Sequence, residues 1–214
     1  MEPGPVNREP FTIGLIGDMH ATPEPLREAL AVFRRERVDM VLCTGDIAGY
    51  GTEPAKTVSL LRGNVCTAIM GNHDAWYLDR SPGDQDRQVA AYFRSLPRTW
   101  DAAIGGKRIH AVHASPPRSI TKGITLLDKE ERLMPRAMEY WTRQLEQYGY
   151  DVLIVGHTHQ VYAEQLGRTT VINPGSSTFN HTCAILRLPD LKVRVIPLSG
   201  KSPRRAWHWG MMTG

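Results

Sequence analysis

The stretch FTIGLIGDMHATPEPLREALAVFRRERVDMVLCTGD, residues 11–46, carries two apolar runs, 11–16 and 38–43, on either side of a segment whose apolar residues recur at helical spacing over 26–33. Short apolar runs that end in Gly, Asp or Thr read as buried strands, and a helical pattern between two of them predicts a βαβ unit with its strands parallel. The alternation continues outward. Residues 54–61 read as a helix, 65–70 as a third strand and 85–96 as another helix after the loop SPGDQD. Two short strands are expected at 100–104 and 108–113, a helix at about 131–148 and a further strand at 152–155. After Gly156 the texture changes: 161–165, 169–172, 183–188 and 193–197 read as antiparallel strands joined by turns such as LGRT and LPDLK. The fold class is therefore α/β.

Composition fits one ordinary domain spanning 1–214, with 41% hydrophobic and 22% charged residues, and with 1–9 and about 200–214 as loosely tied ends. No run approaches the roughly 18 apolar residues needed to cross a bilayer, so a cytoplasmic protein without a membrane partner is expected. Cys43, Cys66 and Cys183 stand singly inside apolar runs, which is neither a disulfide framework nor a CxxC clip, and they read as reduced core residues. A net charge of +4, dispersed along the chain, does not indicate nucleic acid as a partner.

The polar residues fall in a pattern on this frame. Asp18 and His20 follow the first strand, Asp46 the second, and Asn72, His73 and Asp74 the third; His113 ends RIHAVH, and His157 and His159 follow VLIV. Each group thus sits at the carboxyl end of a predicted strand, where ligands bind in open α/β sheets. Five of the eight histidines belong to this set. Taken singly, Asp18 reads as a cap and GD or GNHD as a turn, since Gly, Asn and Asp leave strands easily. His157 and His159 are more telling, because an i, i+2 pair in extended chain puts both rings on one face, as two metal ligands require.

Carboxylate, amide and imidazole donors without thiolate suit Mn²⁺, Fe or Zn²⁺. Two Asp, one Asn and four His are too many for one tetrahedral ion, whereas two ions about 3.5–4 Å apart, sharing one carboxylate, would use them all and would clamp a phosphorus undergoing in-line displacement.

In order and spacing, DMH (18–20), GD (45–46), GNHD (71–74), the lone His113 and GHTH (156–159) resemble the five motifs of calcineurin-like metallophosphoesterases, over residues 13 to about 178. GDIAGYG (45–51), VHASP (112–116) and INPGS (172–176) resemble the small prokaryotic phosphodiesterase branch of that superfamily. The resemblance implies a four-layer αββα sandwich and two divalent transition-metal ions, Mn²⁺ first, with Fe, Zn²⁺ or Ni²⁺ as alternatives. By motif, Asp18, His20, Asp46 and His159 would hold one ion and Asp46, Asn72, His113 and His157 the other, with Asp46 as the bridge. A metal-bound hydroxide would attack a phosphodiester, or a monoester, of a small substrate. His73 would face the substrate with Asn72 and protonate the leaving oxygen, and Asp74 would fix the His73 tautomer.

Departures from the family pattern narrow the expectation. Gly49 and Tyr50 stand where the protein phosphatases of the superfamily carry a phosphate-binding Arg, which argues against that activity. The prokaryotic branch commonly has an Arg soon after NPGS, and this chain reads SSTFNHTC. Loop 115–134 could fold over the pocket and bring Arg118 and Lys122 to the substrate, or remain a solvated basic loop. Trp207 and Trp209 could pack on the body or mediate homo-oligomerisation, while His110 and His181 read as structural. Two alternatives stay open: a dinucleoside polyphosphate hydrolase, and a non-catalytic scaffold like the retromer subunit of the same fold, in which the GNHD histidine is replaced.

Overall fold

The computed structural model describes residues 10–207. Its strands are β1 (Phe11–Ile16), β2 (Met40–Cys43), β3 (Thr67–Ala68), β4 (Thr99–Ile104), β5 (Lys107–Val112), β6 (Val152–Ile154), β7 (Val161–Leu166), β8 (Thr169–Pro174), β9 (Thr182–Leu188) and β10 (Lys192–Pro197). Its helices are α1 (Pro23–Arg35), α2 (Pro54–Gly63), α3 (Asn72–Leu78), α4 (Arg87–Ser95) and α5 (Pro135–Leu145). The strands form two five-stranded sheets, ordered β10-β9-β1-β2-β3 and β4-β5-β6-β8-β7. In the first, β1, β2 and β3 are parallel and β9 and β10 antiparallel. In the second, β5, β6 and β8 are parallel, flanked by antiparallel β4 and β7.

Strand periodicity explains the layers. Ile13 and Leu15 of β1 face the interior between the sheets, with Ile109 and Ala111 of β5, Val152 and Ile154 of β6 and Ile172 of β8. Ile16, at the end of β1, joins Leu26, Leu30 and Phe33 of α1, Val58 and Leu61 of α2 and Phe93 of α4 on the outer side. Gly14 permits this packing, because a Cβ there would come within 2.9 Å of the Phe33 ring. On the opposite outer side Leu153 and Val171 pack with Leu145, Met138 and Trp141 of α5. The order helix, sheet, sheet, helix is the αββα sandwich.

Four local expectations are corrected. The strand expected over 65–70 shrinks to β3, because Val65 has φ 51° and is 90% exposed just after α2, and only Thr67 and Ala68 pair with β2. The helix expected from 131 begins at Pro135, whose fixed φ suits the first helical turn. The preceding residues form a turn in which Glu131 has φ 64° and its N–H donates to the Asp128 carbonyl, with Leu127 bridged to Leu133. GNHD is not a simple turn but the start of α3, with Gly71 at its N-cap. The C-terminal segment is tied as far as residue 207: the Val161 N–H donates to the Arg205 carbonyl, and Gln160 bridges to Ala206. Trp209 lies outside the described residues.

Candidate metal centre

The loops after β1, β2, β3, β5 and β6 converge across the ends of both sheets. Backbone bonds stitch the first two together, with Asp18 N–H donating to Gly45 O at 3.0 Å and His20 N–H to Asp46 O at 3.0 Å. Asp18, His20, Asp46, His157 and His159 all have positive φ, between 47° and 67°. Such conformations cost a non-glycine residue of order 1 kcal/mol each and persist where surrounding contacts over-determine them. Gly71 has a separate reason to lack a side chain, since a Cβ there would overlap the Asp46 carboxylate.

Side chains from these loops approach one another closely. His20 Nε2 lies 3.0 Å from His159 Nε2, and His159 Nε2 lies 3.5 Å from Asp18 Oδ1. Asn72 Oδ1 lies 2.8 Å from His157 Nδ1 and 3.1 Å from His113 Nε2, which is itself 3.3 Å from Asp46 Oδ1. Three groups each bring one donor atom per residue within 4.8 Å of one another: Asp18, His20 and His159; Asp46, His113 and His157; and His20, Asp46 and His73.

The donors suit divalent cations. His113 Nδ1 is 2.7 Å from the Thr44 carbonyl and His157 Nε2 is 2.9 Å from the Thr121 carbonyl, so these nitrogens donate to backbone and the other ring nitrogen faces the cluster, where a cation would take the place of any second proton. Among the described residues no Lys or Arg pairs with the buried carboxylates of Asp18 and Asp46, and imidazoles are their only ion-pair partners. Burial pushes the His20 imidazole down to about 4, against the pull of Asp46 and Asp18, which leaves it neutral at pH 7. Burial would also lower His113, but the Asp46 carboxylate outweighs it and holds that ring up at about 9. Burial opposes ionisation of Asp46, yet His113, His20 and His73 keep its carboxyl below the usual range. A buried carboxylate balanced only by such neighbours is a site for a cation.

Two expected roles are corrected. Asp74 does not orient His73: its Oδ1 accepts from Ala48 N–H at 2.7 Å and its Oδ2 from Gly71 N–H at 2.9 Å, so both oxygens serve backbone. Arg118 and Lys122 are exposed and do not line the cavity over the centre. Loop 115–134 contributes through the Thr121 carbonyl instead. His73 sits on the first turn of α3, its N–H donating to Asp46 Oδ1 at 2.9 Å and its Nε2 lying 4.0 Å from Asp46 Oδ2. His110, 2.7 Å from Asp101 and stacked on Tyr150, is outside the centre.

Supporting residues escaped the motif reading. Asn180 Nδ2 donates to His159 O and to Arg204 O, and its Oδ1 accepts from Ser176 N–H. Ser176 Oγ donates to Asp18 O at 2.6 Å. Asn173 Nδ2 donates to Gly156 O at 3.0 Å. Only Asn173 and Ser176, inside INPGS, had any sequence signal.

Comparison with known proteins relates most of the chain to one family and fold. Residues 11–189 match the calcineurin-like phosphoesterase superfamily domain. A probable metallophosphoesterase of Methanothermobacter thermautotrophicus is 26% identical over 191 residues, covering 88% of this chain and 87% of its own. Among solved structures, a hypothetical protein of Pyrococcus horikoshii superposes with a TM-score of 0.74 at 17% identity, covering 91% of this chain and 89% of that one. A metallophosphoesterase of Sphaerobacter thermophilus does so with a TM-score of 0.68 at 22% identity, covering 89% of each chain.

Proposed function

This chain belongs to the calcineurin-like phosphoesterase superfamily, a family of metal-dependent phosphoester hydrolases, and on that premise we propose that it is a binuclear phosphodiesterase acting on a small phosphorylated substrate. The observation that carries the reading is the position of Asp46, whose carboxylate belongs to two donor groups, one with His113 and His157 and one with His20 and His73. Asp18, His20, Asp46 and His159 would hold one ion, and Asp46, Asn72, His113 and His157 the second. Two divalent cations there, Mn²⁺ first and Fe, Zn²⁺ or Ni²⁺ as alternatives, would supply an activated water near neutral pH and offset charge on the phosphoryl oxygens. The chain's own contribution is orientation. The carbonyls of Thr44 and Thr121 keep His113 and His157 turned inward, and the helical start at Asn72 aims its amide oxygen at both rings. His73 points to the same cavity without a carboxylate within normal hydrogen-bond distance of its Nε2, which suits a group that donates a proton to a leaving oxygen.

The test is a screen of metal-stripped protein, supplied with graded Mn²⁺, against mono-, di- and cyclic phosphates and dinucleoside polyphosphates, with bound metal counted alongside. Two ions per chain with diester turnover is the expected result. A single ion at saturation would refute the binuclear assignment, and preferential cleavage of dinucleoside polyphosphates would move the substrate to that class.

A further inference from the structure

The rim of the metal centre is aromatic. Tyr50, in the loop after β2, and Trp76, one turn after His73 on α3, each place a ring 4.7 Å from the His73 imidazole. Both are about half exposed, at 49% and 53%, which is unusual for large rings beside a site built of carboxylates and imidazoles. The rings continue around the mouth, Tyr50 lying 5.8 Å from Phe179, which stacks on Trp207 at 4.2 Å and 20°. The cavity bordered by Tyr50, Trp76 and Trp207 has a volume of about 360 Å³ and a floor of Asp46, Asn72, His73, His157 and His159. Among its described lining residues there is no Lys or Arg. The exposed rings thus offer a substrate a flat apolar contact beside a polar floor.

We propose that Tyr50 and Trp76 are a stacking site for a nucleobase, so that the substrate is a phosphodiester carrying a nucleoside on one arm. This deepens the phosphodiesterase reading and rests on it for the identity of the reacting phosphate. The argument is one of placement: a base is the planar group most often joined to phosphate, its face stacks on aromatic side chains without regard to sequence, and here the rings stand directly beside the residue facing the reacting centre. Holding the base there would fix one ester arm against His73 while the phosphate lies over the floor of the cavity.

Calorimetric titration of the Mn²⁺-loaded chain with 5′-AMP and with ribose 5-phosphate isolates the contribution of the base, since sugar and phosphate are common to both. The wild type is expected to bind 5′-AMP at least about fivefold more tightly, the lower end of what one stacked base supplies. Trp76→Ala and Tyr50→Ala should each shrink that ratio, Trp76→Phe and Tyr50→Phe should retain most of it, and ribose 5-phosphate should bind all four variants as it binds the wild type. Equal affinities in the wild type, no binding of 5′-AMP, or a preference that persists when both rings are replaced by Ala would each overturn the proposal. Because the titration needs no turnover, a base preference in a chain that hydrolyses no ester would refute the phosphoesterase reading while upholding the stacking site.

Discussion

The Asp74 carboxylate accepts a 2.7 Å hydrogen bond from the backbone N–H of Ala48, joining the first turn of α3 to the loop that follows β2. Its other oxygen closes back on Gly71 N–H, at the cap of the same helix. Asp74 is fully buried, so it is a tie between the two loops that carry Asp46 and Asn72. Replacing it by Ala leaves two buried N–H groups without acceptors, each costing about 1–3 kcal/mol. Asp74→Ala is expected to lower the urea midpoint of unfolding and to weaken metal binding generally. Unchanged stability, with a rate loss only on substrates that have poor leaving groups, would restore the expected role of Asp74 as a partner of His73.

Asp46 separates two models of the centre. As a shared ligand, its conversion in Asp46→Asn should empty both positions and abolish activity, because one carboxylate charge offsets the repulsion between two cations. His20→Ala removes a donor found only on the Asp18 side and in the His73 group, so it should lower the metal count by about one ion, in keeping with one ligand set per ion. Metal analysis of both purified variants checks the assignment, and full occupancy in Asp46→Asn would contradict it.

Trp207 and Asn180 both restrain the loop that carries His159. Trp207 N–H donates to the carbonyl of His159 at 3.2 Å, the same carbonyl that accepts from Asn180, and the Trp207 ring lies 5.2 Å from the His159 imidazole. His159 holds a positive φ of 47°, a conformation that needs such restraint. Asn180→Ala should therefore reduce Mn²⁺ affinity about 10- to 100-fold, the usual worth of a residue that orients a ligand. Equilibrium dialysis against Mn²⁺ gives the affinity directly, and an unaltered value would show that the backbone holds His159 unaided.

Much of this arrangement was legible because it rests on short-range signals. The apolar runs at 11–16 and 152–155 alternate faces in the structure as strands buried on both sides must, and the candidate ligands at their ends are read from local spacing. The division into two sheets came from the family resemblance, since periodicity alone cannot say which strands pair. What the sequence concealed is long-range and uses the backbone: the Thr44 and Thr121 carbonyls, the Asn180 bond to His159 across 21 residues, and the Ala48 N–H bound by Asp74. Any residue can offer a backbone carbonyl, so no residue type marks these positions. The short α3 helix was hidden for a related reason. Gly, Asn and Asp favour turns when considered locally, and here Asp74 caps the helix by reaching back to Gly71, while His73 N–H bonds to a carboxylate 27 residues away.

His73 offers the sharpest test of how chemistry is divided between cations and chain. Its backbone is held by Asp46 and its ring by Tyr50 and Trp76, so truncation should leave the loop in place. If the imidazole donates a proton, His73→Ala should keep two ions while kcat falls by about 10²–10⁴ on a nucleoside diester, the range of general acid catalysis. The loss should be smaller for a p-nitrophenyl ester, because p-nitrophenolate departs without protonation whereas an alkoxide does not. His73 also shares a donor group with His20 and Asp46, and a ligand there would behave differently. Its removal would then release one ion and depress both substrates alike. Steady-state rates on the two esters, measured with metal content in the same preparations, distinguish these outcomes. Equal losses at full metal occupancy would assign the ring to the charge on the phosphoryl oxygens and not to the departing group.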